Sequence, residues 1–204
     1  MLKETFVNLL STYTQERELI DEFWAEIEKN YNGAKRFYHT LIHLENLLRQ
    51  LTAVKAKIQN WDTLLFSLYY HDVIYNALKS NNEEKSAELA VARMVGLNLP
   101  QTMIDRCDAQ ILATKLHRQS DDNDTNYFLD ADLSILGQPW EAYLKYSKNV
   151  RREYAIYPDL IYKPGRKKVL QHFISMERIY KTDYFFQELE ATAKQNLEKE
   201  LASI

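Results

Sequence analysis

Only four glycines and four prolines punctuate the 204-residue sequence, and most of them sit where helices should begin or end. Strand-like alternation bounded by turn residues is absent. Pro100, Pro139 and Pro164 each precede a long stretch of helical periodicity, as prolines of a first helical turn would. Gly96 and Gly137 follow such stretches, where a left-handed C-terminal cap is wanted. Ser80 to Glu83, SNNE, has the spacing of a capping box opening the helix EEKSAELAVARMV. ERELIDEFWAEIEKNY reads as the first helix, ending before Asn32-Gly33. The last helix repeats its apolar face at Phe185, Leu189, Ala193, Leu197 and Leu201. The longest irregular piece is the polar connection RQSDDNDTN, residues 118–126. The pattern predicts an all-α fold of about eight or more helices. No linker is long enough to divide it, so a single domain over residues 1–204 is expected.

The net charge of −3 gives no electrostatic ground for binding a nucleic-acid polymer or an anionic membrane. The single Cys107 allows no intramolecular disulfide and reads as a small buried hydrophobe. The N-terminal stretch MLKETFVNLLSTYTQEREL interrupts its apolar positions with charges and has no small-residue cleavage site, so it does not read as a secretion signal. No run approaches the ~18 consecutive apolar residues of a membrane span. A cytoplasmic location is the expectation.

Against this background the run FSLYYHDVIYN, residues 66–76, places His71 and Asp72 in the middle of apolar sequence. Neighbours on a helix point about 100° apart, so both side chains reach one ion only from a helix end or beyond, which is where the pair falls. His39 and His43, in YHTLIHLENLL, share one face if their helix begins by Tyr38. FLDADLSILG offers Asp130 and Asp132 inside an apolar segment, where an aspartate is costly without a cation or strong donors. A lone histidine on an apolar face is ordinarily a hydrogen-bonded core residue, and an aspartate in such a helix a cap or a solvated face. The set changes the balance: H, then HD, then D, in order on successive helices.

In that order the chain resembles the HD-domain metal-dependent phosphohydrolases, and within them a bacterial branch of proteins of about this length. The resemblance is carried by RFYHTLIHLENLL, YYHDVIY, NNEEKSAELA, ILATKLH, FLDADLSILG, VRREYAIY, PGRKKVLQHF and RIYKTDYF, over nearly the whole chain. It implies an HD-type helical bundle with His43, His71, Asp72 and Asp132 as metal ligands. His39 and Asp130 remain the alternatives to the first and the last. Two imidazoles and two carboxylates suit Mn²⁺, Fe²⁺, Co²⁺ or Ni²⁺, with Mg²⁺ or Zn²⁺ possible. Such an ion acidifies a water and polarises a phosphoryl oxygen, so hydrolysis of a phosphate ester or anhydride is the implied reaction. The expected substrate is a small phosphorylated molecule, with a nucleotide the favoured class.

Glu83 and Glu84, opening the helix after the HD pair, are candidates for proton transfer, or simply first-turn glutamates favoured by the helix dipole. His117 is a candidate for phosphate binding or proton donation. Arg36 is a candidate for gripping phosphate, and the resemblance adds Arg152 and Arg166, which on their own read as solvated helix faces. Two other readings stay open: a non-catalytic metal- and nucleotide-binding sensor, and a di-iron oxygenase. The second is disfavoured because only His117 lies between the HD pair and the final aspartate.

Overall fold

The computed structural model describes all 204 residues and is helical throughout. Ten α-helices follow one another: α1 Leu2–Ser11, α2 Arg17–Tyr31, α3 Leu41–Ala53, α4 Trp61–Tyr70, α5 Asn82–Gly96, α6 Gln101–Ala113, α7 Asn123–Asp132, α8 Trp140–Glu153, α9 Asp159–Ser175 and α10 Asp183–Ser203. Two short 3-10 turns, Lys55–Lys57 and Leu133–Gly137, complete the order. The fold class is therefore all-α, as the scarcity of breakers predicts. The chain forms two compact units, Met1–Phe128 and Leu129–Ile204, with the boundary inside α7. None of the helices is long and apolar enough to cross a membrane.

In the first unit α4 is the hub. Every residue from Thr63 to Tyr70 is buried, because α1, α3, α5 and α6 all pack against it and leave no face for solvent. Its neighbours are one-sided: α3 buries His43, Leu44, Leu47, Leu48 and Leu51, the spacing of a single helical stripe. Polar atoms inside this core are mostly matched. Ser67 donates to Gln110 Oε1 at 2.6 Å and the Tyr69 hydroxyl to the Leu2 carbonyl at 2.8 Å. Phe6 meets Tyr69 edge-on at 4.8 Å, a preferred aromatic geometry.

In the second unit α10 packs against α9 and the 3-10 turn Leu133–Gly137. A Cβ on Gly137 would stand 2.6 Å from Leu189 Cβ, so glycine is required there by close approach rather than by a left-handed cap. α10 buries three polar residues, each with partners. Glu190 accepts the Ile179 and Tyr180 amides at 3.0 and 3.1 Å, and Asn196 donates to the Leu136 and Gln138 carbonyls. Glu200 takes Arg166 in a two-pronged ion pair, 2.8 Å at each prong, together with the Tyr143 and Ser147 hydroxyls. Burial alone would raise the Glu200 carboxyl, but the Arg166 guanidinium outweighs it and holds the group below its usual value.

Several local expectations change. A helix precedes the one expected first, and α7 begins at Asn123, inside the stretch expected to be irregular, since Asp124 accepts the Gln59 and Asn60 amides at 2.9 and 2.7 Å. No glycine has positive φ; the left-handed positions are Asn98 and His117. The SNNE capping box does not form. Asn81 is the N-cap of α5 without a side-chain bond, and Asn82 instead ties the Asn76 amide and carbonyl. Pro100 and Pro139 stand at helix starts, whereas Pro164 lies inside α9, which begins after Pro158. Its missing N–H deprives the Leu160 carbonyl of a partner, a small loss because Leu160 is 88% exposed and water can reach it.

Replacing Glu200 by Gln leaves the Arg166 charge buried without its counter-ion and is expected to cost about 3 kcal/mol of unfolding free energy at neutral pH. Because the folded carboxyl lies below its unfolded value, the pair contributes fully above pH ~4.3 and is lost as the pH falls through the folded value. Denaturant titrations at neutral and acid pH should show the wild type losing more stability on acidification than Glu200→Gln.

Candidate metal centre

The site is built from the end of α4, the start of α3 and the segment before it, all in the first unit. α4 stops at Tyr70, and beyond it the amides of Asp72 and Ile74 find partners outside the helix. The Tyr31 hydroxyl accepts from the Asp72 amide at 3.2 Å, and Ser86 Oγ from the Ile74 amide at 3.1 Å. His71 is the C-cap, still in helical conformation, and Asp72 follows it off the helix axis. The two neighbours thereby escape the divergence a continuing helix would impose on them.

α3 begins at Leu41, since Thr40 is extended (φ −118°, ψ 177°) as an N-cap residue is. His43 lies in its first turn, while His39 lies before the helix, so the shared face expected for the two histidines does not exist. They are nevertheless brought to the same carboxylate. Asp72 Oδ2 stands 3.2 Å from His71 Nε2, 3.8 Å from His43 Nε2 and 3.9 Å from His39 Nε2. His43 Nε2 and His71 Nε2 face each other at 3.2 Å. His43 is 5% exposed and His71 1%.

His71 has its tautomer set by its other nitrogen. Nδ1 is 3.0 Å from the Leu68 carbonyl, which only accepts, so Nδ1 carries a proton, and in the neutral ring it is the Nε2 lone pair that faces His43 and Asp72. Two ligands each ~2.1 Å from a cation and at right angles stand about 3.0 Å apart. The His71–His43 and His71–Asp72 spacings are of that size. Three imidazole nitrogens and a carboxylate oxygen form a nitrogen-rich mixed set suited to a divalent first-row ion, so the residues fit a resident cation.

Arg36 holds the pieces in register. Its Nη1 donates to the Asp72 carbonyl at 2.7 Å and the His39 carbonyl at 3.1 Å, and its Nη2 to the Val73 carbonyl at 2.8 Å. The guanidinium also lies over the rings of Tyr31 at 4.8 Å and Tyr75 at 5.3 Å. Its fork is thus engaged by backbone, where the sequence suggests a grip on phosphate. Tyr75 and Tyr38 pack against His39 at 4.3 and 4.9 Å, Phe128 meets His71 edge-on at 5.6 Å, and Tyr70 is fully buried.

The remaining candidates fall as follows. Glu83 and Glu84 are half-buried in the first turn of α5. Lys115 pairs with Glu84 and holds its carboxyl below the usual range. His117, after α6, is half-buried with φ 48°, an uncommon left-handed backbone for a residue with a side chain. Asp130, Asp132, Arg152 and Arg166 belong to the second unit. Asp130 is fully buried, its oxygens accepting the Lys181 amide at 2.8 Å and the Thr182 amide and hydroxyl at 2.7 and 2.8 Å. It caps the entry to α10. Asp132 is half-buried at the end of α7, Arg152 is exposed in the last turn of α8, and Arg166 is engaged by Glu200. Nothing in the sequence marks Tyr31 or the Leu68 carbonyl as supports of the site.

Comparison with protein-family models, with curated proteins and with solved structures gives no match.

If Arg36 positions the ligands through the backbone, Arg36→Lys should weaken metal binding by about 10- to 100-fold, the usual scale for outer supports of ligands. Competition titration with a chromophoric chelator measures this. A lysine cannot bridge three carbonyls with a planar fork, so retained charge should not rescue the variant.

Proposed function

We propose that the chain is a metal-dependent phosphohydrolase of the HD type acting on a small phosphorylated molecule, with a nucleotide as the substrate class. One observation carries the reading: two buried imidazole nitrogens from separate helices meet beside one carboxylate. His71 Nε2 and the Asp72 carboxylate are both acceptors, and bringing them together in a buried place is favourable when a proton on His43 or a cation joins them. His43, His71 and Asp72 are the proposed ligands from the first unit. Asp132 is proposed as the fourth, on the strength of the sequence resemblance and because Asp130 is committed to the Lys181 and Thr182 amides. His39 is a further nitrogen within the group, which favours Fe²⁺, Co²⁺, Ni²⁺, Mn²⁺ or Zn²⁺ over Mg²⁺.

A divalent ion held there would supply an acidified water and a Lewis-acid contact for a phosphoryl oxygen. The chain's own residues do the rest. Asp72 offsets part of the cationic charge, and His71, fixed by the Leu68 carbonyl, keeps its lone pair aimed inward. Arg36 locks the His39 and Asp72 backbones, so the ligands need little reorganisation when charge develops. Of the two glutamates Glu83 is the one proposed to exchange a proton, because Lys115 engages Glu84. His117 is proposed to meet the substrate phosphate or the leaving group. A cytoplasmic setting accompanies this reading, since a lone buried Cys107 suits a reducing compartment.

Asp72→Ala should abolish both bound metal and hydrolysis, with metal content read by elemental analysis and turnover by phosphate release from nucleoside mono- and triphosphates with Mn²⁺, Co²⁺, Ni²⁺ or Mg²⁺. Full occupancy and activity in that variant would overturn the assignment. Metal retained by the wild type with no turnover on any member of the panel would favour the sensor reading.

The two aspartates of the D-A-D segment should separate cleanly. Asp130→Ala strands buried amides and is expected to lower stability by about 1–3 kcal/mol while sparing metal content. Asp132→Ala is expected to do the reverse, and thermal melts paired with metal analysis tell them apart.

A further inference from the structure

The second unit contains a cavity of about 430 Å³ whose walls come from the end of α8 and one face of α9. Its size is that of a small-molecule pocket. Tyr154, Tyr157 and Tyr162 supply aromatic surface, Ile161 adds an apolar wall, and Gly165 and the buried Arg166 form part of the lining. Tyr154 lies 6.2 Å from Tyr157 at an interplanar angle of 29° and 6.0 Å from Tyr162. The three rings therefore form one aromatic cluster along the cavity wall, against which a flat group can pack. Arg151 sits 4.6 Å over Tyr162 and is fixed by Asp159 and by the Tyr154 and Tyr157 carbonyls, which makes the cluster rigid.

Two further observations point to an occupant. The first is charge. Residues 143–172 hold eight Lys and Arg against two Asp and Glu, in a chain whose net charge is −3. Lys163, Lys167 and Lys168 on α9 are exposed, and Lys168 shares the helix face of Ile161 and Gly165. The second is Gly165. After proline, glycine weakens a helix more than any other residue, yet this one sits inside α9 with no positive φ. An added Cβ would meet nothing within 4 Å. Neither backbone conformation nor packing requires a glycine here, and its effect is to keep the cavity open.

We propose that this groove binds a planar ring carrying an anionic group, a nucleoside phosphate, with the ring against the tyrosines and the phosphate toward Lys168 at the groove's edge. Aromatic faces accept any nucleobase, and ammonium groups attract the phosphate without demanding one geometry. A nucleic-acid polymer is the less favoured occupant. One concave pocket receives one ring, and an overall negative chain opposes the many phosphate contacts a polymer needs. The inference does not depend on the metal centre.

The test is equilibrium binding of ATP and AMP to the full chain in EDTA, by calorimetry or tyrosine fluorescence. Saturable binding at one site per chain is expected, with inorganic phosphate alone much weaker. Gly165→Leu places a side chain in the cavity and improves helix propensity, so it should fold and yet bind at least about tenfold more weakly, a loss of ~1.4 kcal/mol. Lys168→Glu should weaken ATP more than AMP. Asp72→Ala should bind as the wild type does, which separates this site from the metal centre. The proposal is overturned by absence of saturable nucleotide binding, by a folded Gly165→Leu protein that binds normally, or by a single-stranded oligonucleotide binding far more tightly than ATP.

Discussion

Two imidazole nitrogens 3.2 Å apart in a buried place need a bridge between their lone pairs. Either a proton is shared or a cation lies between and beside them. Because the Leu68 carbonyl claims the His71 Nδ1 proton, the second nitrogen of that ring is left as an acceptor, and the Asp72 carboxylate next to it adds negative charge. The surrounding structure exists to sustain this arrangement. α4 is buried on all sides up to Tyr70, so His71 has a fixed base. α2 contributes the Tyr31 hydroxyl and α5 the Ser86 hydroxyl, which take the amides where α4 gives out.

The second unit solves a different problem by similar means. α10 carries Glu190, Asn196 and Glu200 on its buried side, and each is satisfied by backbone or by Arg166. Such a network adds little net stability over an apolar core, but it specifies register. Only one alignment of α8, α9 and α10 lets Glu200 receive Arg166, Tyr143 and Ser147 together. The same alignment sets the face of α9 that carries Gly165.

Legibility in the sequence followed the range of the interactions. The helical class, the end of α4 at the HD pair and the burial of Cys107 are written in periodicity and in the residues themselves, and all three are found. His39 is different. Its place beside Asp72 comes from Arg36 bridging carbonyls on either side of a gap of more than thirty residues, and no periodicity encodes that. Asp130 and Asp132 look equivalent in FLDADLSILG. They part company only because Lys181 and Thr182, some fifty residues on, present their amides to the first. Arg166 reads on its own as part of a solvated helix face until Glu200 is brought to it by α10. The expected glycine caps failed for a related reason: Gly137 answers to Leu189, a distant neighbour, and not to its own φ.

The occlusion of α4 has a kinetic corollary. Amides in a helix with no solvated face exchange with water only through large opening of the unit, whereas the irregular segment from Gly33 to Thr40 lacks that protection. Breathing of the centre on short timescales is therefore confined to one wall. Motion near His39 and Tyr75 is thus separated from the fixed position of His71, and the irregular backbone that moves is the one Arg36 ties together.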